Sequence, residues 1–164
     1  MNYLVEQIRK KQDEIILMVN SSFDEIIKEV SRMDHLPNQE PNEYELIYPL
    51  TNTAGFKGKK VIGVIIDGER KIAPTWKKVV EIILKKAIQD KKTEDKLANL
   101  CDKLLGRKRT RVSSTDKDMK SPLKISEKIY IETHYDTESL MKLLIQVLNE
   151  ISYDYNNIKI VIKN

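Results

Sequence analysis

Apolar residues recur three and four positions apart near the start of the chain: Leu4, Val5, Ile8, Ile15, Ile16, Val19, Phe23, Ile26, Ile27, Val30 and Met33. That spacing predicts helix over residues 3–33, because positions three and four apart share one helical face. Gln12 and Ser22 interrupt a strict heptad seam. Asn20-Ser21-Ser22 also offers a break, with either serine capping a second helix. As one helix or two, the segment either packs on a core or forms a dimerising arm. Residues 34–55 change character, with Pro37, Pro41 and Pro49 among Asn and Glu. They read as a linker or extended wrap, anchored through Tyr44, Leu46, Ile47, Tyr48 and Leu50.

The apolar run Val61-Ile62-Gly63-Val64-Ile65-Ile66 predicts a buried strand. Asp67-Gly68 then predicts a hairpin turn into Glu69-Arg70-Lys71-Ile72. Thr75 caps a helix whose apolar face is Trp76, Val79, Val80, Ile83, Leu84 and Ala87. Thr93 is expected to cap a second helix, with Leu97, Leu100, Cys101, Leu104 and Leu105 as its stripe and Gly106 as its end. Residues 107–124 read as a polar, basic loop, and Ile125–Thr133 as one strand or two short ones. Asp136 caps the helix that carries Leu140, Met141, Leu143, Leu144, Val147, Leu148 and Ile151. The alternation through Ile158, Ile160 and Ile162 predicts a half-buried, edge-like strand at the end. The expected fold is α+β or α/β. An N-terminal helical arm (1–33) and a Pro-rich acidic linker (34–55) lead to a compact domain (56–164). There a β-hairpin, two helices and a C-terminal strand–helix–strand unit form a small mixed sheet covered by helices. The final unit is expected to be a right-handed parallel crossover.

At 164 residues the chain suits one domain with an appendage, large enough to be stable without disulfide or metal. Charge sharpens this picture. Seventeen of the 29 Lys and Arg residues lie between Phe56 and Arg111, against seven acidic residues, so that stretch carries +10 while the whole chain carries +4. Residues 34–55 hold no base and carry −4. Segregated positive charge attracts polyanions where scattered charge would not. Cys101 is the single cysteine, which excludes an internal disulfide and points to a reducing, cytoplasmic setting. The start, Met1-Asn2-Tyr3-Leu4-Val5-Glu6, does not read as a signal peptide. No uncharged stretch is long enough for a spanning helix.

The basic cluster Arg107, Lys108, Arg109 and Arg111 could clamp phosphates, with paired hydrogen bonds from each guanidinium. Lys57, Lys59, Lys60 and the helix-face residues Lys77, Lys78 and Lys85 would extend that footprint. The bland alternative is a solvated loop beside a solvated helix face. Trp76 reads as core rather than a base-stacking platform, and Cys101 as core rather than nucleophile. Glu132, His134, Asp136 and Glu138 flank a strand end and could do metal or acid–base chemistry, but no second His or Cys group completes a site. Asp116-Lys117-Asp118 lacks calcium-loop spacing, and Gly55-Phe56-Lys57-Gly58-Lys59 lacks that of a phosphate loop. No cofactor and no enzymatic activity are expected.

Several stretches carry a resemblance. They are Tyr48-Pro49-Leu50-Thr51, Phe56-Lys57-Gly58-Lys59-Lys60, Gly68-Glu69-Arg70, Thr75-Trp76-Lys77-Lys78, Gly106-Arg107, Ser121-Pro122-Leu123-Lys124-Ile125, Ile129 to Thr137, and Tyr153-Asp154-Tyr155. Over residues 48–164 these resemble an uncharacterised family of small proteins from mobile genetic elements of low-GC Gram-positive bacteria. The resemblance supplies no site residues. It implies a setting in which accessory proteins bind DNA, regulate transcription or block host defence. The leading expectation is therefore a nucleic-acid-binding protein, with a stoichiometric, anti-defence inhibitor of a host protein as the alternative. A hydrolase built on His134 is a distant third.

Overall fold

The computed structural model describes residues 2–33, 44–104 and 110–164, with side chains of the first helix described from Tyr3 to Lys28. The chain divides between residues 40 and 41 into two units.

Among its described residues the first unit is a single helix, α1 (Asn2–Met33). Of the two alternatives, one helix or two, the chain takes the first, with no break at Asn20-Ser21-Ser22. The Ser22 hydroxyl donates to the Met18 carbonyl at 3.0 Å, so it bonds back along the helix instead of capping a new one.

The second unit is α+β, with three helices and two small antiparallel sheets among the described residues. The larger sheet joins β1 (Glu45–Pro49), β2 (Lys60–Ile66), β3 (Glu69–Ile72) and β7 (Lys159–Lys163) in the order β1-β7-β2-β3. Its hairpin forms where Asp67-Gly68 predicts it. Asp67 (φ 53°) and Gly68 (φ 79°) both take the left-handed conformation that a tight two-residue turn requires. The smaller sheet has the order β4-β6-β5, from β4 (Val112–Ser113), β5 (Pro122–Ser126) and β6 (Ile129–Glu132). Pro122 is tolerated because it opens an edge strand, where its missing N–H breaks no central ladder. Helices α2 (Trp76–Ala87), α3 (Lys91–Asn99) and α4 (Thr137–Glu150) share one core with both sheets, centred on Phe56, Ile83, Leu144, Leu148 and Ile160.

Several expectations are corrected. Of the two readings of residues 34–55, residues 45–55 take the extended wrap and not the linker: β1 pairs with β7 from Glu45↔Lys163 to Pro49↔Lys159, Leu46, Tyr48 and Leu50 anchor it to the core while Tyr44 and Ile47 stay exposed, and the 3-10 turn Thr53–Phe56 buries Phe56. Residues 34–43 lie outside the described residues. β7 is a central strand with Ile160, Val161 and Ile162 all buried. The last strand–helix–strand unit is not a parallel crossover within a mixed sheet, because β6 and β7 belong to different, antiparallel sheets. Finally, α3 begins at Asp90, whose carboxylate accepts the Thr93 N–H (3.3 Å) and hydroxyl (3.0 Å), so Thr93 is the capped residue. That helix stops at Asn99. Asp102 (φ 63°) turns the chain and donates its N–H to the Val112 carbonyl, which opens β4 inside the stretch read as a loop.

The outward face of the larger sheet carries an internal strut. Arg70 on β3 donates two guanidinium hydrogen bonds, 2.9 and 3.0 Å, to Glu45 on β1. Two strands separate them. Gly63 lies under the crossing: a Cβ there would sit 3.5 Å from Arg70 Nε and 3.0 Å from the Lys71 carbonyl oxygen. Val161, paired with Gly63 in register, has no exposed surface.

Candidate nucleic-acid interface

The ten basic residues singled out in the sequence meet different fates. Lys57, Lys59 and Lys60 follow the Thr53–Phe56 turn into β2. All three are exposed, and no carboxylate pairs with them among the described residues. Their position is fixed by Trp76, the first residue of α2. Its ring packs on Phe56 with centroids 5.1 Å apart, and its Nε1–H donates to the Lys59 carbonyl at 3.1 Å. Trp76 thus has one face against the core and one polar atom on the basic loop, as an amphipathic ring favours. This bond ties the loop to the first turn of α2, where Thr75 accepts the Lys78 N–H at 3.1 Å.

The lysines of α2 contribute less. Lys77 Nζ donates to the Pro122 carbonyl at 3.0 Å and to the Ser121 hydroxyl at 3.3 Å, so it clamps α2 onto β5. Lys78 and Lys85 both pair with Glu81, at 3.0 and 2.7 Å. Hydrogen bonds from Lys85, then Lys78, hold the Glu81 carboxyl below its ordinary value, so it is an anion set between two cations. Lys86 pairs with Asp67 at 3.5 Å.

Arg111 donates to the Gln146 side chain on α4 at 2.9 Å, and its backbone joins the smaller sheet through the Glu132 N–H at 3.0 Å. Arg107, Lys108 and Arg109 lie outside the described residues.

Strand pairing adds one cation that sequence reasoning missed. Lys163 lies directly across from Lys60 in the β2–β7 register, and both are exposed. No local signal could have joined residues a hundred positions apart.

Of the residues weighed for acid–base chemistry, Glu132, Asp136 and Glu138 are engaged in building the fold, and His134 is exposed and joins it through its backbone N–H alone. Glu132 is buried, with 1% of its surface exposed. It accepts backbone N–H bonds from Lys120 (2.6 Å), Ser121 (2.9 Å) and His134 (2.9 Å). Burial pushes its carboxyl upward, but these donors outweigh that effect and leave it below the usual carboxylate range. Asp136 caps α4 by accepting the Ser139 N–H at 3.0 Å, and Glu138 pairs with Lys142 at 2.6 Å. Cys101 packs against the core, and burial followed by the Asp102 charge pushes its thiol upward, away from nucleophilic character.

No helix among the described residues is long and apolar enough to cross a membrane. Compared with family models, curated proteins and solved structures, the chain matches none.

Proposed function

We propose that this chain is a non-enzymatic, cytoplasmic accessory protein of a mobile genetic element that binds nucleic acid through its phosphates. Lys57, Lys59, Lys60 and Lys163 form the centre of the contact, and the run from Arg107 to Arg111 extends it. The reading is carried by the Trp76–Lys59 hydrogen bond, which holds an unpaired lysine loop rigidly on α2. A loop whose backbone is already held meets phosphates with less ordering cost than a loose one. Contacts to phosphates carry no sequence information directly, so this binding is sequence-independent and salt-sensitive. Self-association through α1 would present two such surfaces to one strand or duplex.

The test is titration of a generic duplex probe across a salt series. Substituting Lys57→Ala, Lys59→Ala and Lys60→Ala together should weaken binding and flatten the salt slope by about 3, roughly 0.9 per lost phosphate contact. An unchanged slope in the triple variant would remove this loop from the interface. If no probe shifts, yet a nuclease-treated lysate yields a stoichiometric protein complex, the inhibitor reading replaces this one.

A further inference from the structure

The apolar face of α1 has a period that the heptad comparison conceals. Asn2-Tyr3-Leu4-Val5 followed by Ile8, Asp13-Glu14-Ile15-Ile16 followed by Val19, and Asp24-Glu25-Ile26-Ile27 followed by Val30 are three copies of one pattern, each 11 residues after the last. Eleven residues over three helical turns keep a stripe on one side of a nearly straight helix, with a slight right-handed supercoil. The described members of the stripe are exposed, Ile8 at 54% and Phe23 at 60%. Helices draw most of their stability from packing an amphipathic face, so a stripe about 45 Å long calls for a partner.

We infer that this partner is a second copy of α1, lying antiparallel and centred on Leu17. This deepens the self-association named above and rests on it. In that register Leu4 meets Val30, Ile8 meets Ile26 and Ile15 meets Val19. The two polar residues that interrupt the stripe, Gln12 and Ser22, also fall opposite each other. Charge favours the same orientation. Residues 2–11 carry +2 and residues 23–32, which face them in this register, carry −1, so antiparallel helices set unlike ends together and parallel ones set like ends together. Lys11 then lies one turn or less from Glu25 of the second copy, on the same flank of the seam. The segment of α1 contains five basic and six acidic residues in all, a near balance that suits a protein partner better than an anionic lipid surface.

Light scattering on the full chain should give twice the 19.1 kDa monomer mass. Ile15→Lys with Val19→Lys should return it to monomer. Orientation is read by oxidative cross-linking in a Cys101→Ser background. A mixture of Ile8→Cys and Ile26→Cys chains should form a mixed disulfide dimer, and Ile8→Cys alone should not. Cross-linking of Ile8→Cys alone would overturn the antiparallel arrangement while leaving self-association standing. A monomer at all concentrations would overturn both, as would a monomer that binds anionic vesicles through α1.

Discussion

Glu132 has the sequence setting of a surface residue at a strand end, beside His134 and Asp136, and that setting suggests acid–base chemistry. Its surroundings make it a structural anion instead. A carboxylate that accepts three backbone N–H groups, from Lys120, Ser121 and His134, fixes the loop entering β5 and the one leaving β6. Replacing it by Gln keeps the shape but turns an amide NH₂ toward at least one N–H. Glu132→Gln should therefore cost about 3 kcal/mol, the range for a buried, charge-assisted donor set that loses its acceptor. The pH dependence follows from its lowered folded-state value. The unfolded chain takes up the proton first, so the stabilisation is fully present above the ordinary glutamate range and is lost as pH falls through the folded value. Thermal melts between pH 7 and pH 3 should show wild type and variant converging at the acid end. Parallel curves would mean that the carboxylate charge contributes nothing.

At the scale of elements, what the sequence disclosed was local. The Asp67-Gly68 turn, the Thr75 and Asp136 caps and the helices behind them rest on contacts within four residues, and all are present. What stayed hidden was long-range. Glu45–Pro49 looks like linker because Pro37 and Pro41 precede it and Pro49 ends it, yet it completes the sheet against β7. The alternation in β7 reads as an edge because Val161 lies among lysines. In the fold, Val161 is enclosed beside Gly63, where the Arg70 guanidinium crosses toward Glu45. Hydrogen bonding to Arg70 lowers the Glu45 carboxyl, and its reciprocal raises Arg70, as expected for a mutually held pair. Gly63 is the residue that permits the crossing. Gly63→Val should lower stability by about 2 kcal/mol through overpacking, which for a chain of this size is roughly 4–8 °C in Tm. Gly63→Ala should cost less, since only the first carbon meets the Lys71 carbonyl. If valine is tolerated as well as alanine, the strut does not lie tight against the sheet.

Over the whole molecule, the +10 stretch seen in the sequence does not become a uniformly positive surface. Its lysines divide into those spent on structure, as Lys77 is on β5, those shared with carboxylates, as Lys78 and Lys85 are with Glu81, and those with no carboxylate partner among the described residues, where Lys57, Lys59 and Lys60 form the one consecutive loop and Lys71, Lys92 and Lys103 lie elsewhere. The sequence could count these charges but not their partners, because Glu81 differs from any other helix glutamate only in which lysines reach it. That position offers a test of sign. Surface pairs at helical spacing contribute about 0.3–0.5 kcal/mol each, so Glu81→Gln should leave the melting temperature almost unchanged. It removes an anion from α2, the helix whose first turn is bonded to the proposed interface loop, and releases two ammonium groups. A unit charge about 4 Å away in water is worth about 1 kcal/mol, so affinity for a generic duplex at low salt should rise about fivefold. The gain should shrink as salt screens the site. A glutamate substitution that tightens binding is hard to obtain unless phosphates approach the α2 face. Unchanged or weaker binding in Glu81→Gln would confine the contact to the Lys57–Lys60 loop and the Arg107–Arg111 run.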